Sequence, residues 1–340
     1  MNIGILSSGG DCPGINAAIR GVGKTALTYF GMTVVGIRCG FTGLLNKDIL
    51  PLNTETLSGI LNLGGTILGT SREKPFKKFF QPDPDHEEKP QVIVDTYHEL
   101  GLDCLVCIGG SGTQKTAYQL SQLGLNIIGI PKTIDNDIWG TDITFGFNTA
   151  VSIATEAIDR LHSTASSHNR VMVIELMGHH AGWITLYAGM AGGADVILIP
   201  ELGFDIKKVT RTILERARQN KPYSIVAIAE GLETGEKNCR PATYISRMIE
   251  ESTGMETRET VLGYVQRGGS PSAFDRNLGT RLGGHTTELI AKGQFGRMVA
   301  VKGDNIISVP LNKISGKLKL VSHDHDLIVL GKRMGISFGV

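Results

Sequence analysis

The sequence predicts an α/β protein made of two similar doubly wound lobes, each with a largely parallel sheet covered by helices. Three observations support this. Short β-branched runs recur along the 340 residues, separated by amphipathic helical patterns. Glycine-rich turns follow the runs of the first half, whereas single polar residues such as His179, Glu201 and Glu230 follow those of the second. At 41% hydrophobic and 20% charged, with 44 glycines, the chain can bury a large core split over two domains.

In chain order, the first lobe is expected to use "NIGIL" (2–6), "TVVGI" (33–37), "CLVCIGG" (104–110) and "NIIGIP" (126–131) as strands. The second uses "RVMVIEL" (170–176), "DVILIP" (195–200), "YSIVAIAEG" (223–231) and "ETVLGYV" (259–265). Each is a short apolar run bounded by turn residues, and alternation with helical periodicity implies βαβ units with right-handed crossovers. "REKPFKKFFQPDPDHEEKP" (72–90) combines prolines with mixed charge and is expected to be an exposed loop or lid.

Charge and cysteine content exclude several function classes. The formal charge is +1, from 34 basic and 33 acidic residues, so no nucleic-acid or membrane partner is expected. No apolar stretch reaches the roughly 18 residues that suggest a membrane span. The opening "MNIGILSSGGDCPG" has no basic region ahead of its first apolar run, which argues against a signal peptide and for a cytoplasmic protein. Of five cysteines, Cys39, Cys104 and Cys107 fall in or beside apolar runs and read as core. In a strand, residues three apart face opposite ways, so "CLVC" is neither a metal pair nor an easy disulfide. "HDHD" (323–326) lacks a third ligand at useful spacing and reads as surface.

Three glycine turns in the first half point to phosphate. "SSGGDCPGINAAIRG" places Gly9 and Gly10 between a strand and a helix, "IGGSGTQKTAYQL" does the same with Gly109, Gly110 and Gly112, and "GGTILGTSR" is the third. Glycine lets backbone N–H groups approach an anion, and the following helix offers unpaired donors and the positive end of its dipole. Two weaker motifs are set aside. "GVGKT" (21–25) lacks the first P-loop glycine, since Ala18 stands there, and it lies within a helical pattern. In "GSGTQK", Lys115 replaces the third glycine of the dinucleotide fingerprint, which disfavours NAD.

After "NIIGIP" the chain reads "KTIDND", placing charged groups where ligands bind in open α/β sheets. On an extended backbone Asp135 and Asp137 point the same way, with Thr133 on that side. One carboxylate is suited to take a proton from a hydroxyl nucleophile, the other to hold magnesium directly or through water. Lys132 adds a cation where phosphate charge would develop. Arg72, Arg170, Arg258 and Arg267 are candidate phosphate forks, and His179 or His180 of "MGHHAGW" a candidate sugar contact.

Taken together, "SSGGDCPGINAAIRG", "GGTILGTSR", "IGGSGT", "PKTIDNDIWGTD", "GFNTAV", "SSHNRVMVIELMG" and "VLGYVQRGGSP" resemble the 6-phosphofructokinase family, in its order and spacing over nearly the whole chain. The resemblance is to the bacterial type and its mixed ATP/pyrophosphate branch. It implies a phosphoryl-donor lobe of residues 1–146 plus about 266–318, and a fructose 6-phosphate lobe of residues 147–265 plus about 319–340. It further implies magnesium as cofactor and a homo-oligomer whose sites are shared between subunits. By motif, Asp135 would be the base for the sugar 1-hydroxyl, Thr133 would orient that region, Asp137 would serve magnesium, and Arg72 would bridge donor and sugar. Gly10, Gly112 and Thr113 would line the donor phosphates beside Gly9 and Gly110. Met177, Gly178, Glu230 and Arg267 would bind the sugar phosphate from the same chain, with Arg170 and Arg258 arriving from a neighbour.

The chain departs from the family pattern at several positions. Ser111 stands where "GGDG" has aspartate, so magnesium would gain a neutral ligand there in place of a carboxylate. His179 replaces an arginine and Tyr264 a histidine at sugar positions. Gly112 leaves room for the α-phosphate of ATP, whereas pyrophosphate users place aspartate there; Lys132 is typical of pyrophosphate enzymes but also occurs in ATP-using members of the mixed-substrate branch. The resemblance therefore implies fructose 6-phosphate phosphorylation with ATP favoured over pyrophosphate, the further alternative being a weakly active regulatory paralogue. Arg20 and Lys24 match basic effector positions but Thr54 does not, so weak or absent control by ADP and phosphoenolpyruvate is expected.

Overall fold

The computed structural model describes residues 1–76 and 84–340, and the side chains of all of these except 84–87. The chain divides into two compact units. The first comprises Met1–Thr133, Ile138–Asn148 and Arg267–Leu318; the second comprises Ile134–Asp137, Thr149–Gln266 and Lys319–Val340.

The first unit opens with β1 (Asn2–Ser8), α1 (Ile15–Thr28), β2 (Thr33–Ile37), α2 (Phe41–Asn46), β3 (Ile49–Pro51), α3 (Pro84–Glu99), β4 (Cys104–Gly109), α4 (Ser111–Gln122), β5 (Ile127–Thr133) and β6 (Phe145–Gly146). Helix α5 (Phe147–His168) carries the chain into the second unit, which holds β7 (Val171–Leu176), α6 (Trp183–Ala191), β8 (Val196–Leu198), α7 (Ile206–Arg218), β9 (Ser224–Ala229), α8 (Pro241–Thr253) and β10 (Thr257–Val261). A 3₁₀ turn, Gly263–Arg267, leads back to the first unit for α9 (Ala273–Ala291), β11 (Arg297–Lys302), β12 (Asn305–Pro310) and α10 (Leu311–Ile314). Helix α11 (Asp326–Arg333) ends the second unit.

Among the described residues, the first unit's sheet runs β12-β11-β5-β4-β1-β2-β3, with β6 paired to β5. Its middle strands are parallel, and the outer pairs β2–β3 and β11–β12 are antiparallel. The second sheet, β10-β7-β9-β8, is parallel throughout. Strands covered on both faces read as near-continuous apolar runs, and β4, β7 and β9 are buried end to end. Leu6, Leu105, Ile127, Leu120 and Met298 belong to the first core, and Val171, Val226, Ile213 and Ile245 to the second.

Local chemistry sets the helix ends. Asp205 caps α7 by accepting from Lys207 N at 2.9 Å, and Ser272 caps α9 by accepting from Asp275 N at 3.2 Å. Pro241 begins α8 and Gly254, at φ 69°, stops it. Cys104 and Cys107 are buried free thiols, but Cys39, read as core with them, is exposed in a left-handed turn at φ 53°; "HDHD" is surface except for His325, which caps α11.

Two further expectations need correction. The segment expected as a loop over 72–90 is helical from Pro84, where a proline is tolerated because the first helical N–H has no partner anyway; its residues 77–83 lie outside those described. "ETVLGYV" is strand only to Val261, because Gly263 turns at φ 55°. The β11–β12 hairpin, tightened by Gly303 at φ 56°, was not expected; nor were the three-residue β3 and two-residue β6, too short to show a period. Among the described residues, no helix is long and apolar enough to cross a membrane.

Candidate active site

Strand order decides what meets at the first sheet's carboxyl edge. β1, β4 and β5 are neighbours, with Ser8 opposite Gly109 and Gly109 opposite Pro131, so the segments leaving them lie side by side. Gly9 turns at φ 88°, a conformation side chains resist; its N–H donates to Ser71 O at 2.9 Å and its carbonyl accepts from Thr70 Oγ1 at 2.7 Å. Lys132 Nζ donates to Gly10 O, and Thr113 Oγ1 to Ser8 O at 3.3 Å. A Cβ at Gly10 would sit 2.9 Å from Arg267 Nη1, which donates to Asp11 O at 3.1 Å. Two cations, Lys132 and Arg267, thus close on one glycine turn. Arg72 follows Ser71 with its side chain exposed.

Helix α4 starts at this edge. Gly110 is its N-cap and Ser111, Gly112 and Thr113 its first turn, whose N–H groups and dipole favour an anion. Gly112 is exposed, and a Cβ built on it meets no atom within 4 Å. Here glycine holds space open rather than relieving a clash. Close by, burial pushes the Cys12 thiol up to about 12 against the opposing pull of Lys132 and Arg267, so it stays a neutral core thiol.

The chain passes from Lys132 and Thr133 of the first unit into the turn Ile134–Asp137 of the second. This turn is not extended, contrary to the sequence-based expectation. Asn136 sits at φ 52°, in the left-handed region that asparagine tolerates better than most residues, and that reverses the backbone between the two carboxylates. Asp135 and Asp137 are 8% and 9% exposed. Burial raises the Asp137 pKa, against the opposing effects of its own backbone N–H, His179, Lys319 and His180.

At the carboxyl edge of the second sheet, Met177, Gly178 and His179 follow β7 and Glu230 follows β9. Glu230 Oε1 accepts from His179 N at 2.9 Å and Gly178 N at 3.3 Å, which fixes that loop. His179 is exposed, in a left-handed conformation at φ 52°. Leu262 N donates to Glu175 O at 3.1 Å and so brings the exposed Tyr264 to the same edge. A cavity of about 1100 Å³ opens here, lined by Glu175, His179, His180, Glu230 and the segment from Gly231 to Pro241. Burial raises the Glu175 pKa, against the hydrogen bond from Ala242 N.

Gly231 is the tightest point of this edge, since a Cβ there would lie 2.0 Å from His179 O. Gly231→Ala should therefore displace the His179 loop and cost about 1–3 kcal/mol of stability. Thermal unfolding should show a lower midpoint.

Arg170 and Arg258 are not brought to this edge. Arg170 precedes β7, and Arg258 pairs with Met172 near its start, so a strand of six residues, roughly 20 Å, separates them from Met177. Both bind Glu256: Arg170 Nε at 2.6 Å from Oε2, and Arg258 Nη2 through Oε1. Sequence reasoning missed Glu256, although a carboxylate two residues from Arg258 at a strand start shares its face. It also missed Lys319, which no motif marks.

The sequence profile of the family described as Phosphofructokinase matches residues 2–290. The chain is 66% identical over 340 residues to "ATP-dependent 6-phosphofructokinase 3" of Bacteroides thetaiotaomicron, covering 100% of both chains. It is 53% identical over 358 residues to "ATP-dependent 6-phosphofructokinase" of Spirochaeta thermophila, covering 99% of this chain and 97% of that one. Among solved structures, phosphofructokinase from Saccharomyces cerevisiae superposes with a TM-score of 0.82 at 30% identity, over 92% of this chain and 45% of that longer one.

Proposed function

The chain belongs to the phosphofructokinase family, and from that premise we propose that it is an ATP-dependent 6-phosphofructokinase. It transfers the γ-phosphoryl group of ATP to the 1-hydroxyl of fructose 6-phosphate, giving fructose 1,6-bisphosphate and ADP, as a cytoplasmic step of glycolysis. The observation that carries this reading is the 66% identity, end to end, with a relative named for that activity. The open space at Gly112, where a bulkier donor needs room, supports ATP.

In this reading the first unit binds the donor. Backbone N–H groups of Gly9, Gly10 and the start of α4, with Thr113, hold its phosphates, while Lys132 and Arg72 supply positive charge as the γ-phosphoryl group moves. Asp135 accepts the proton of the 1-hydroxyl as its oxygen bonds to phosphorus and the bond to ADP breaks. Thr133 orients that hydroxyl. Met177, Gly178, His179, Glu230, Tyr264 and Arg267 bind the sugar phosphate.

Magnesium fits the oxygen donors present. Asp137 offers a carboxylate and Ser111 a hydroxyl, hard oxygen donors of the kind magnesium takes beside waters and phosphate oxygens. Asp137 and Ser111 would hold it, and when bound it would neutralise charge on the donor phosphates.

Arg170 and Arg258 lie a full strand from Met177 in their own chain, so they serve a neighbouring copy's sugar phosphate in a homo-oligomer. Arg258→Ala and Glu230→Ala should each be nearly inactive, and mixing the two under subunit exchange should restore about a quarter to a half of wild-type activity, because some sites regain both residues. No recovery would place Arg258 and Glu230 of one chain in the same site. The reading as a whole is tested by whether purified protein forms fructose 1,6-bisphosphate from fructose 6-phosphate, ATP and magnesium. One observation favours a second reading, a pyrophosphate donor: Lys132, which the family resemblance associates with such enzymes, reaches the glycine turn.

A further inference from the structure

The turn bearing Asp135 and Asp137 has a partner in the carboxyl-terminal segment of its own unit. Lys319 Nζ donates to Asn136 Oδ1 at 2.9 Å, and Lys319 N donates to Asp137 O at 2.8 Å. One residue thus grips the left-handed Asn136 and the carbonyl that follows it, between the two functional carboxylates.

Lys319 is itself firmly held. Its carbonyl accepts from Trp183 Nε1 at 2.9 Å, and its ammonium lies 5.3 Å from the Trp183 ring centroid. Trp183 is 8% exposed and is packed edge-on by His325 at 5.4 Å. Two residues on, Val321 N donates at 3.0 Å to Glu201 Oε1, the same oxygen that accepts from Gly182 N at 2.9 Å. Residues 319–321 are therefore anchored to the start of α6 at both ends. Lys319 is half-buried while Lys317, Leu318 and Leu320 around it are exposed, so the segment turns this one side chain inward.

We propose that Lys319 is a positioning residue for phosphoryl transfer, holding Asn136 in its left-handed conformation so that Asp135 and Asp137 keep their relative orientation. It acts through Asn136 rather than on either substrate. The inference rests on the function proposed above. Its energetic logic is that a single charge-assisted hydrogen bond to a strained turn is a large fraction of what keeps reacting groups in register, and small misplacements of such groups cost rate steeply.

Lys319→Met removes the ammonium but leaves the backbone bond to Asp137. It should lower kcat about 10-fold, with KM for fructose 6-phosphate and for ATP within about 2-fold of wild type and a melting temperature only about 2–4 °C lower. Lys319→Arg, which restores a donor and a cation over Trp183, should recover kcat to within about 3-fold. In an Asn136→Gly background, where glycine accepts the same φ, Lys319→Met should cost less than about 2-fold. Wild-type kcat in Lys319→Met, a rise confined to KM, or full additivity with Asn136→Gly would each overturn the proposal. A wild-type protein inactive with both ATP and pyrophosphate would instead refute the functional reading beneath it.

Discussion

Replacing Asp135 with alanine is expected to lower turnover by roughly 100- to 10,000-fold, the usual range for losing a general base, with little change in fructose 6-phosphate affinity. Proton transfer is needed only as the new oxygen–phosphorus bond forms, so the loss belongs in kcat. This is the largest single effect that the role proposed for Asp135 implies. Asp135 follows β5, whose Lys132 reaches the glycine turn, and it is 8% exposed, so water is a poor substitute for its carboxylate. Steady-state kinetics with both substrates varied, beside a thermal melt to establish folding, would check it. A 100-fold rise in KM with unchanged kcat would make Asp135 a binding group instead.

The second large effect is expected at Gly112. Gly112→Asp adds a carboxylate within the first turn of α4, where the space for a Cβ is empty, so the fold should tolerate it. If the α-phosphate of ATP occupies that space, the new charge faces it. Like charges about 4 Å apart repel by about 4 kcal/mol at an effective dielectric of 20, enough for roughly a 1,000-fold loss in kcat/KM for ATP. Pyrophosphate has no third phosphate there and should lose far less. Equal losses with both donors would mean that the substitution spoils the helix terminus generally; no loss with ATP would place its phosphates elsewhere.

How far the fold could be read ahead depended on burial. β1, β4, β5, β7 and β9 are covered strands, and their near-continuous apolar runs leave little alternative. The edge pair β11–β12 is half-exposed in its second strand, with alternation too weak to stand out, and β3 and β6 owe their existence to neighbours rather than to any pattern of their own. Proline misled over 72–90 because it both breaks and begins helices, and only tertiary packing decides which; Ile93 and Tyr97 of α3 are core residues.

The candidate site divides the same way. Residues directly after strands, such as Gly9, Gly110, Lys132, Met177 and Glu230, are legible because strand ends are where an open sheet presents its ligands. What could not be read is anything joined by long-range contact. Sequence gave no reason to pair Arg267 with Gly10, or Lys319 with Asn136, across separations of well over a hundred residues. The backbone at Asn136 was misjudged for a related reason, since an isolated asparagine is compatible with extended and left-handed conformations alike and nothing local in the sequence selects between them.

The central claim is the donor, and the most direct test is kcat/KM for fructose 1,6-bisphosphate formation by the purified protein with magnesium, measured with ATP and with pyrophosphate at saturating fructose 6-phosphate. The account predicts activity with ATP and at least about 100-fold less with pyrophosphate, which would make Gly112 the deciding residue and Lys132 an accessory cation. Activity with pyrophosphate alone would contradict it and show that Lys132 outweighs the open space at Gly112.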